Sequence, residues 1–233
     1  MMQPSSKRIE SVAEFRKDAF AGQPVFILCT GPSLALDVPA LGELREHWTW
    51  GVNNLIRWPL LPFLPSLWAY NEAYSDLGAW KMLHDETRVC GFIRAQPYYD
   101  SNRFMVLDQP REHIIQVGKL AGFQEEQLTF TYPLWGVSAV GTAIQPAIWL
   151  GFDPIYLLGL DLTNQYVHRW GARPVSYQHG GSHWENMMLG LELIRDTLWR
   201  HGRTIVNLSR GSQETVLPRM TLPEVLSQMP VAV

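Results

Sequence analysis

The chain has 233 residues, a formal net charge of −3 and a hydrophobic content of 46%, which suffices for one substantial buried core. The mildly acidic balance and the lack of a long basic block argue against nucleic acid as a partner. No uninterrupted apolar window of about 18 residues occurs, and the start MMQPSSKRIE lacks the apolar stretch of a signal peptide, so we expect a cytoplasmic protein without a membrane span.

The first half of the chain predicts strands that alternate with helices. Ser11 and Glu14 have capping-box spacing, which predicts a short helix to about Phe20, and the apolar run PVFILCT then predicts a fully buried strand. Pro39 fits the first turn of a helix that runs to about His47. Further strands are expected in WTWGVN, SLWAYN, RVCGFI and RFMVL.

The second half continues this alternation. We expect a helix over residues 138–150, a buried strand in PIYLLGLD, a helix over residues 183–201 and a last strand in TIVNLS. The polar stretch over residues 163–181 is too long for an ordinary connection and predicts a mobile active-site loop or lid. Because the strands are apolar on both faces, we predict one α/β domain over residues 1–233, with a mostly parallel sheet and helices on both faces.

The first buried strand ends in a turn formed by Thr30, Gly31, Pro32 and Ser33. In open α/β sheets, ligands bind beyond the carboxyl ends of the strands, where such a turn points backbone N–H groups outward. Gly31 would permit close approach of a ligand, and Ser33 adds a hydroxyl. The turn lacks both the GxGxxG fingerprint and the lysine of a P-loop. A tight turn with a helix-capping serine explains the same residues, so both interpretations stay open.

Other predicted strands also end in polar residues. Asn53 and Asn54 close WGVNN, Asn71 closes WAYN, and Gly159 and Asp161 close YLLGLD. An asparagine amide offers a donor and an acceptor together, which suits a nucleobase edge or a ribose hydroxyl. One such asparagine is more often a turn former, but several at the same edge of a sheet favour a ligand.

The helix expected after residue 137 begins with small residues, among them Ser138, Gly141 and Thr142. Small side chains leave the positive end of a helix open to an anion. They also let a helix pack closely on a sheet, so this feature does not decide between the two roles.

His183 is a candidate general base. Ser182 and Glu185 have capping-box spacing, which places His183 in the first turn of its helix. There the helix dipole favours a neutral imidazole that can accept a proton. A surface histidine beside a helix cap is the competing interpretation.

Two further patterns concern metals and thiols. His168, His179 and His183 could join Asp161 in a zinc site, but Gly180 and Gly181 should break the helix that this spacing needs, so we expect no structural metal. The cysteines are interpreted as buried thiols, since neither has a partner at a redox or metal spacing; they are Cys29 and Cys90.

These segments, taken in chain order over residues 25–212, resemble the bacterial sialyltransferases that cap lipooligosaccharides. They also resemble a related family with motility accessory factors and hydroxymethylpterin pyrophosphokinases among its members. The specific motifs are GPSL and LGxxxIYLxGxD. The resemblance implies a Rossmann-like fold, and its sialyltransferases use a CMP-activated sugar without a metal.

The resemblance also implies roles for individual residues. His183 would be the general base, and the segment from Ser138 to Thr142 would lie near the donor. The residues that would contact the nucleotide are Gly31, Ser33, Asn53 and Asn71. The sialyltransferases place a tyrosine after Gly-x-Asp-x to hold the leaving phosphate, whereas Thr163 stands here. The loop residues that could help instead are Tyr166, Arg169 and Tyr177.

The sequence therefore predicts a glycosyltransferase with no tightly bound cofactor. It would move a sugar, sialic-acid-like in the resemblance, from a nucleotide-activated donor to a hydroxyl of an acceptor glycan or another acceptor. A CMP-sugar is the favoured donor, and the leaving phosphate would be received by backbone amides near Gly31 and Ser138. The alternatives are Mg²⁺-dependent diphosphate transfer from ATP to a pterin-like alcohol, with Asp161 holding the ion, and a non-catalytic nucleotide-binding protein. A homo-oligomer also stays open.

Overall fold

The computed structural model describes residues 3–4, 17–70, 92–94, 103–105, 114–116, 139–163 and 181–229. Its strands are β1 (Gln3–Pro4), β2 (Val25–Leu28), β3 (Trp48–Val52), β4 (Phe63–Leu64), β5 (Leu67–Tyr70), β6 (Phe92–Arg94), β7 (Arg103–Met105), β8 (Ile114–Gln116), β9 (Ile155–Leu158) and β10 (Ile205–Asn207). Its α-helices are α1 (Val38–Leu41), α2 (Ala139–Trp149), α3 (Gly181–Arg200) and α4 (Leu222–Gln228). Its 3₁₀ helices cover Pro32–Asp37, Gly42–Glu46 and Asn53–Arg57.

The sheet confirms the predicted fold class. Among the described residues, eight strands form one sheet in the order β10-β9-β2-β3-β5-β6-β7-β8. The strands from β10 to β6 are parallel, and β7 and β8 continue the sheet with antiparallel pairing. Short strands β1 and β4 pair separately. The chain is therefore an α/β protein with a mostly parallel sheet.

Helices cover both faces of the sheet near its centre. The core on one face joins α2 and α3 to Val25 and Ile27 of β2. The core on the other face joins the segment after β2 and α4 to Phe26 and Leu28. Alternate side chains of a strand point to opposite faces, so all four residues of β2 are buried.

The first strand of the parallel sheet, β2, lies between β9 and β3. The chain leaves β2 toward the face covered by α1, whereas it passes from β9 to β10 through α3 on the opposite face. Such a change of direction leaves a crevice at the carboxyl ends of the two strands, which is where open α/β sheets bind ligands. In the register of this pair, Leu28 lies opposite Leu158, the last residue of β9.

Several helical segments differ from the sequence predictions. The helix expected from Pro39 instead begins at Pro32, directly after β2, and breaks into short 3₁₀ and α segments. Each proline lacks an N–H group and is accommodated in the first turn of a segment, so the two divide the stretch. Residues 17–22 form turns, so the first helix does not extend to Phe20. The sequence analysis missed α4, although Thr221 and Glu224 form its capping box.

Within the described part of the chain, none of the helices combines the length and the apolar character that a membrane span requires.

Gly51 of β3 allows the ring of Trp68 on the neighbouring strand to lie over the backbone. A Cβ atom at Gly51 would lie 2.6 Å from Cε3 of Trp68, whose side chain is fully buried. We predict that Gly51→Ala lowers the free energy of unfolding by about 1–3 kcal/mol, measured by chemical denaturation.

Gly42→Ala is the matched control, because Gly42 has helical backbone angles and no atom lies within 4 Å of the position that a Cβ would take there. Its stability should stay within a few tenths of a kcal/mol of the parent or rise by about 0.4–1 kcal/mol. Equal stabilities for the two variants would contradict the proposed packing of Trp68 on Gly51.

Candidate functional site

The turn after β2 is joined to the end of β9 by hydrogen bonds. The backbone N–H of Gly31 donates to the carbonyl of Gly159 at 2.8 Å. The backbone N–H of Ser33 donates to Oδ2 of Asp161 at 2.6 Å, and the Ser33 hydroxyl donates to Oδ1. Ser33 and Asp161 are both buried. A carboxylate therefore lies at the start of the 3₁₀ helix, where backbone N–H groups favour negative charge.

This arrangement corrects one expectation from the sequence. The N–H groups of Gly31 and Ser33 were expected to face a ligand phosphate, but both donate to groups inside the protein. Pro32, between them, has no N–H group, and Thr30 is buried. An anionic ligand at this edge would therefore need other donors. A contact between these residues and a nucleotide stays a prediction.

The loop after β10 holds the end of β9 in place. The N–H of Leu160 donates to Oγ of Ser209 at 2.7 Å, and Oγ of Ser212 donates to the carbonyl of Leu160 at 2.5 Å. The N–H of Gln213 donates to the carbonyl of Asp161 at 3.1 Å. Asp161 is thus positioned from both sides, by the turn after β2 and by the loop after β10.

An ion pair between Asp37 and Arg210 is a feature that the sequence analysis missed. Nη2 of Arg210 lies 3.1 Å from Oδ1 of Asp37, whose side chain is fully buried. Burial raises the pKa of Asp37, the charge of Arg210 opposes this shift, and the charge of Asp161 adds to it. Arg210 comes directly after the predicted last strand TIVNLS, so a search for polar residues at the ends of predicted strands could have identified it. Asp37 carries no comparable local signal.

Asn53 follows β3 at the same edge of the sheet and begins a 3₁₀ helix. Its φ angle is +45°, and its carbonyl accepts a hydrogen bond from Nε1 of Trp68 at 3.0 Å. Asparagine adopts this left-handed conformation more readily than most residues. The geometry thus gives Asn53 a clear role in the turn and does not test the predicted contact with a nucleotide.

The first turns of α2 and α3 carry other candidate residues. Gly141 and Thr142 lie in the first turn of α2, and His183 lies in the first turn of α3. Both helices lead into the amino ends of the next strands, so they run opposite to the sheet and begin near its carboxyl edge. With 20 residues, α3 is about 30 Å long, which exceeds the roughly 17 Å that a five-residue strand spans. The start of α3 therefore reaches the carboxyl edge of the sheet.

The start of α3 differs from the predicted one. Ser182 was expected to cap the helix, but the helix already includes Gly181, so Ser182 lies inside it. Because the described helix begins at Gly181 and His179 lies outside the described residues, the expected helix break between His179 and His183 stays a prediction. The structure describes the backbone of His183.

Several predicted residues lie outside the described residues. They are Asn71, Cys90, Ser138, Tyr166, His168, Arg169, Tyr177 and His179, together with the proposed loop over residues 163–181 except for its two ends, Thr163 and Gly181, of which Gly181 begins α3.

The described residues contain no group of three or more His, Cys, Asp or Glu side chains that could hold a metal ion. Cys29 is a buried thiol, as predicted. Burial, and to a smaller extent the charge of Asp161, raises the pKa of Cys29 well above its usual value, so the thiol stays protonated at neutral pH.

No protein-family model matches the chain, and no curated protein matches it either. Among solved structures, it is similar to the sialyltransferase CST-II, described in complex with a trisaccharide acceptor and CMP. The similarity covers 84% of this chain and 86% of that chain, with 13% sequence identity and a TM-score of 0.41.

We expect Gly31 to tolerate no side chain, because a Cβ atom there would clash with the protein itself, whether or not a ligand is bound. A Cβ atom there would collide with the carbonyl of Gly159 and lie 2.6 Å from Oδ2 of Asp161. We predict that Gly31→Ala lowers the free energy of unfolding by about 1–3 kcal/mol without any ligand, and that Gly31→Val lowers it further. Thermal or urea denaturation measures this, with Gly42→Ala as the control. Parental stability for Gly31→Ala would show that the turn does not pack against Asp161.

Proposed function

We propose that this protein is a glycosyltransferase that binds a nucleotide-activated sugar at the carboxyl edge of the sheet, between β2 and β9. The observation that carries the proposal is the buried hydrogen-bonded pair of Ser33 and Asp161 at the crevice where the chain direction changes. Asn53 follows the neighbouring strand β3 at the same edge. Glycosyl transfer, among the activities of nucleotide-binding folds, is favoured by the resemblance of GPSL and LGxxxIYLxGxD to sialyltransferase motifs.

In this proposal the nucleotide and the donor sugar are held by different segments. Asn53 and Asn71 would contact the base or the ribose, since an amide can both donate and accept. The segment beginning at Ser138, with Gly141 and Thr142, would lie near the donor. Other candidates come from the segment after β9, where Tyr166, Arg169 and Tyr177 would stabilise the leaving phosphate. A CMP-sugar is the donor to test first.

His183 would act as the general base. Its imidazole would take the proton of the acceptor hydroxyl while the acceptor oxygen forms a bond to the anomeric carbon of the donor sugar. The bond from that carbon to the phosphate oxygen would break, and the nucleotide would leave with the electron pair. The position of His183 in the first turn of α3, near the carboxyl edge, supports this role.

Two other functions give different results in the same assays. Diphosphate transfer from ATP would need Mg²⁺ at Asp161, where both carboxylate oxygens accept hydrogen bonds from Ser33, so an ion would share these oxygens. A chelator would abolish that activity, whereas sugar transfer from a CMP-sugar should persist. A non-catalytic nucleotide-binding protein would bind nucleotide and show no turnover with any acceptor.

The first experiment is a thermal-shift screen with CMP, UDP, GDP and ATP, followed by a transfer assay with the sugar derivative of the best ligand. We expect CMP to raise the melting temperature most. If none of the four nucleotides raises it, the proposed function is wrong.

Asn53 offers a test that separates binding from turn formation. Asn53→Gly keeps a residue that adopts the positive φ angle and removes the amide, whereas Asn53→Ala also strains the backbone. We predict that Asn53→Gly stays folded and weakens nucleotide binding by about 1–3 kcal/mol, measured by titration calorimetry. Parental affinity in Asn53→Gly would leave Asn53 with its role in the turn alone.

His183→Asn tests the base. The variant should bind nucleotide nearly as well as the parent but lose about 10²–10⁴-fold in turnover at saturating donor, because asparagine cannot take up a proton at neutral pH. The parental rate should fall as the pH is lowered, since the base must be unprotonated.

The controls for this test are His168→Asn and His179→Asn, assayed with and without a chelator. Full activity in His183→Asn would remove His183 from the mechanism. A selective loss in one control would instead assign the base to that histidine.

A further inference from the structure

The loop after β10 supplies two arginines, and each forms an ion pair with a fully buried carboxylate. Nη2 of Arg219 lies 3.8 Å from Oε2 of Glu214, and the two side chains are 38% and 0% exposed. In the second pair, Nη2 of Arg210 lies 3.1 Å from Oδ1 of Asp37, and the side chains of Arg210 and Asp37 are 43% and 0% exposed. Because the two pairs are similarly buried, differences in their other hydrogen bonds can distinguish a structural role from a role in binding.

Both members of the pair of Arg219 and Glu214 also form hydrogen bonds with other groups of the protein. The Arg219 guanidinium donates to the backbone carbonyls of Ser209, Ser212 and Glu214. The Glu214 carboxylate accepts from Nδ2 of Asn207 and from the backbone N–H groups that follow it, those of Val216 and Leu217. This pair therefore shapes the loop.

The pair of Arg210 and Asp37 has no such further hydrogen bonds within the described part of the chain. Neither oxygen of Asp37 accepts a hydrogen bond from a group other than Arg210, and the Arg210 guanidinium has the ion pair with Asp37 as its polar contact among the described residues. A guanidinium carries five N–H donors. A buried carboxylate with so few polar contacts is costly and rare, so its presence calls for an explanation beyond stability.

The pair lies at the proposed binding edge. Asp37 ends the 3₁₀ helix that begins beside Ser33, and Arg210 follows Ser209, whose hydroxyl accepts from the N–H of Leu160. The charge of Asp161 raises the pKa of Asp37, so the two carboxylates are close enough to interact. A ligand that arrives from solvent meets the half-exposed guanidinium before it meets the buried carboxylate.

We propose that Arg210 binds a phosphate group of the nucleotide and that Asp37 occupies the guanidinium while the site is empty. The inference rests on the proposed function for the identity of the ligand. In this proposal Arg210 donates the hydrogen bonds to the phosphate that the turn cannot donate, because the N–H groups of Gly31 and Ser33 donate to groups of the protein. Arginine suits this role because its planar guanidinium can donate two parallel hydrogen bonds to a phosphate.

The test compares a nucleotide with its nucleoside, so that the phosphate contact is isolated. Dissociation constants for CMP and cytidine are measured by calorimetry on the full chain, or for the best nucleotide of the screen and its nucleoside. Arg210→Gln should weaken CMP at least tenfold and leave cytidine unchanged, and Arg210→Lys should recover part of the loss. Arg219→Gln is the matched control, and it should lower the melting temperature while keeping the parental preference for CMP over cytidine.

Asp37→Asn should have the opposite effect. It removes the carboxylate charge that competes for the guanidinium, so CMP should bind several-fold more tightly while cytidine is unaffected. A pair with a purely structural role would change the melting temperature in this variant and leave the ratio of the two affinities unaltered.

The outcomes separate this inference from the proposed function. If Arg210→Gln keeps the parental preference for CMP, Arg210 is not the phosphate ligand, although nucleotide binding stands. If the parent binds no nucleotide but inorganic pyrophosphate raises its melting temperature in an Arg210-dependent way, the anion site is confirmed for free phosphates and the proposed function fails. If neither nucleotide nor pyrophosphate binds, both are wrong.

Discussion

The hydrogen bonds between Asp161 and Ser33 are the contact on which the arrangement of this edge depends. They join the turn after β2 to the end of β9 at the point where the chain changes direction across the sheet. Several residue choices serve this contact. Gly31 leaves room for the carboxylate, Gly159 adopts a φ angle of +69° beside it, and Ser209 holds the intervening Leu160. A side chain at either glycine would separate the two strand ends.

The same contact determines how a ligand could be held. The start of a helix commonly binds phosphate through free backbone N–H groups, but here a carboxylate of the protein takes that position. A second anion at the same N–H groups would be repelled by Asp161. In the proposed site, side chains supply the positive charge, and Arg210 is the residue that we propose for this role. The proposed site differs in this respect from a phosphate-binding loop.

The sequence predictions succeeded for the buried strands of the sheet and were less successful for helix starts and for contacts between residues far apart in the chain. The apolar runs of β2 and β9 are visible without any partner, because burial on both faces of a sheet selects continuous apolar residues. Helix starts were less reliable: Ser182 has the spacing of a cap yet lies inside α3. Asp37 and Arg210 are far apart in the chain, and no spacing rule connects them.

The α/β class and the polar residues that end the strands could be predicted from the sequence alone, since both follow from periodicity and from the common direction of parallel strands. The sequence did not determine which donors a ligand could use. Only the tertiary structure places β9 beside β2, and a hydrogen bond depends on that spatial neighbour rather than on chain order. For this reason Ser33, which the sequence predicts as a ligand donor, donates to Asp161 in the folded protein.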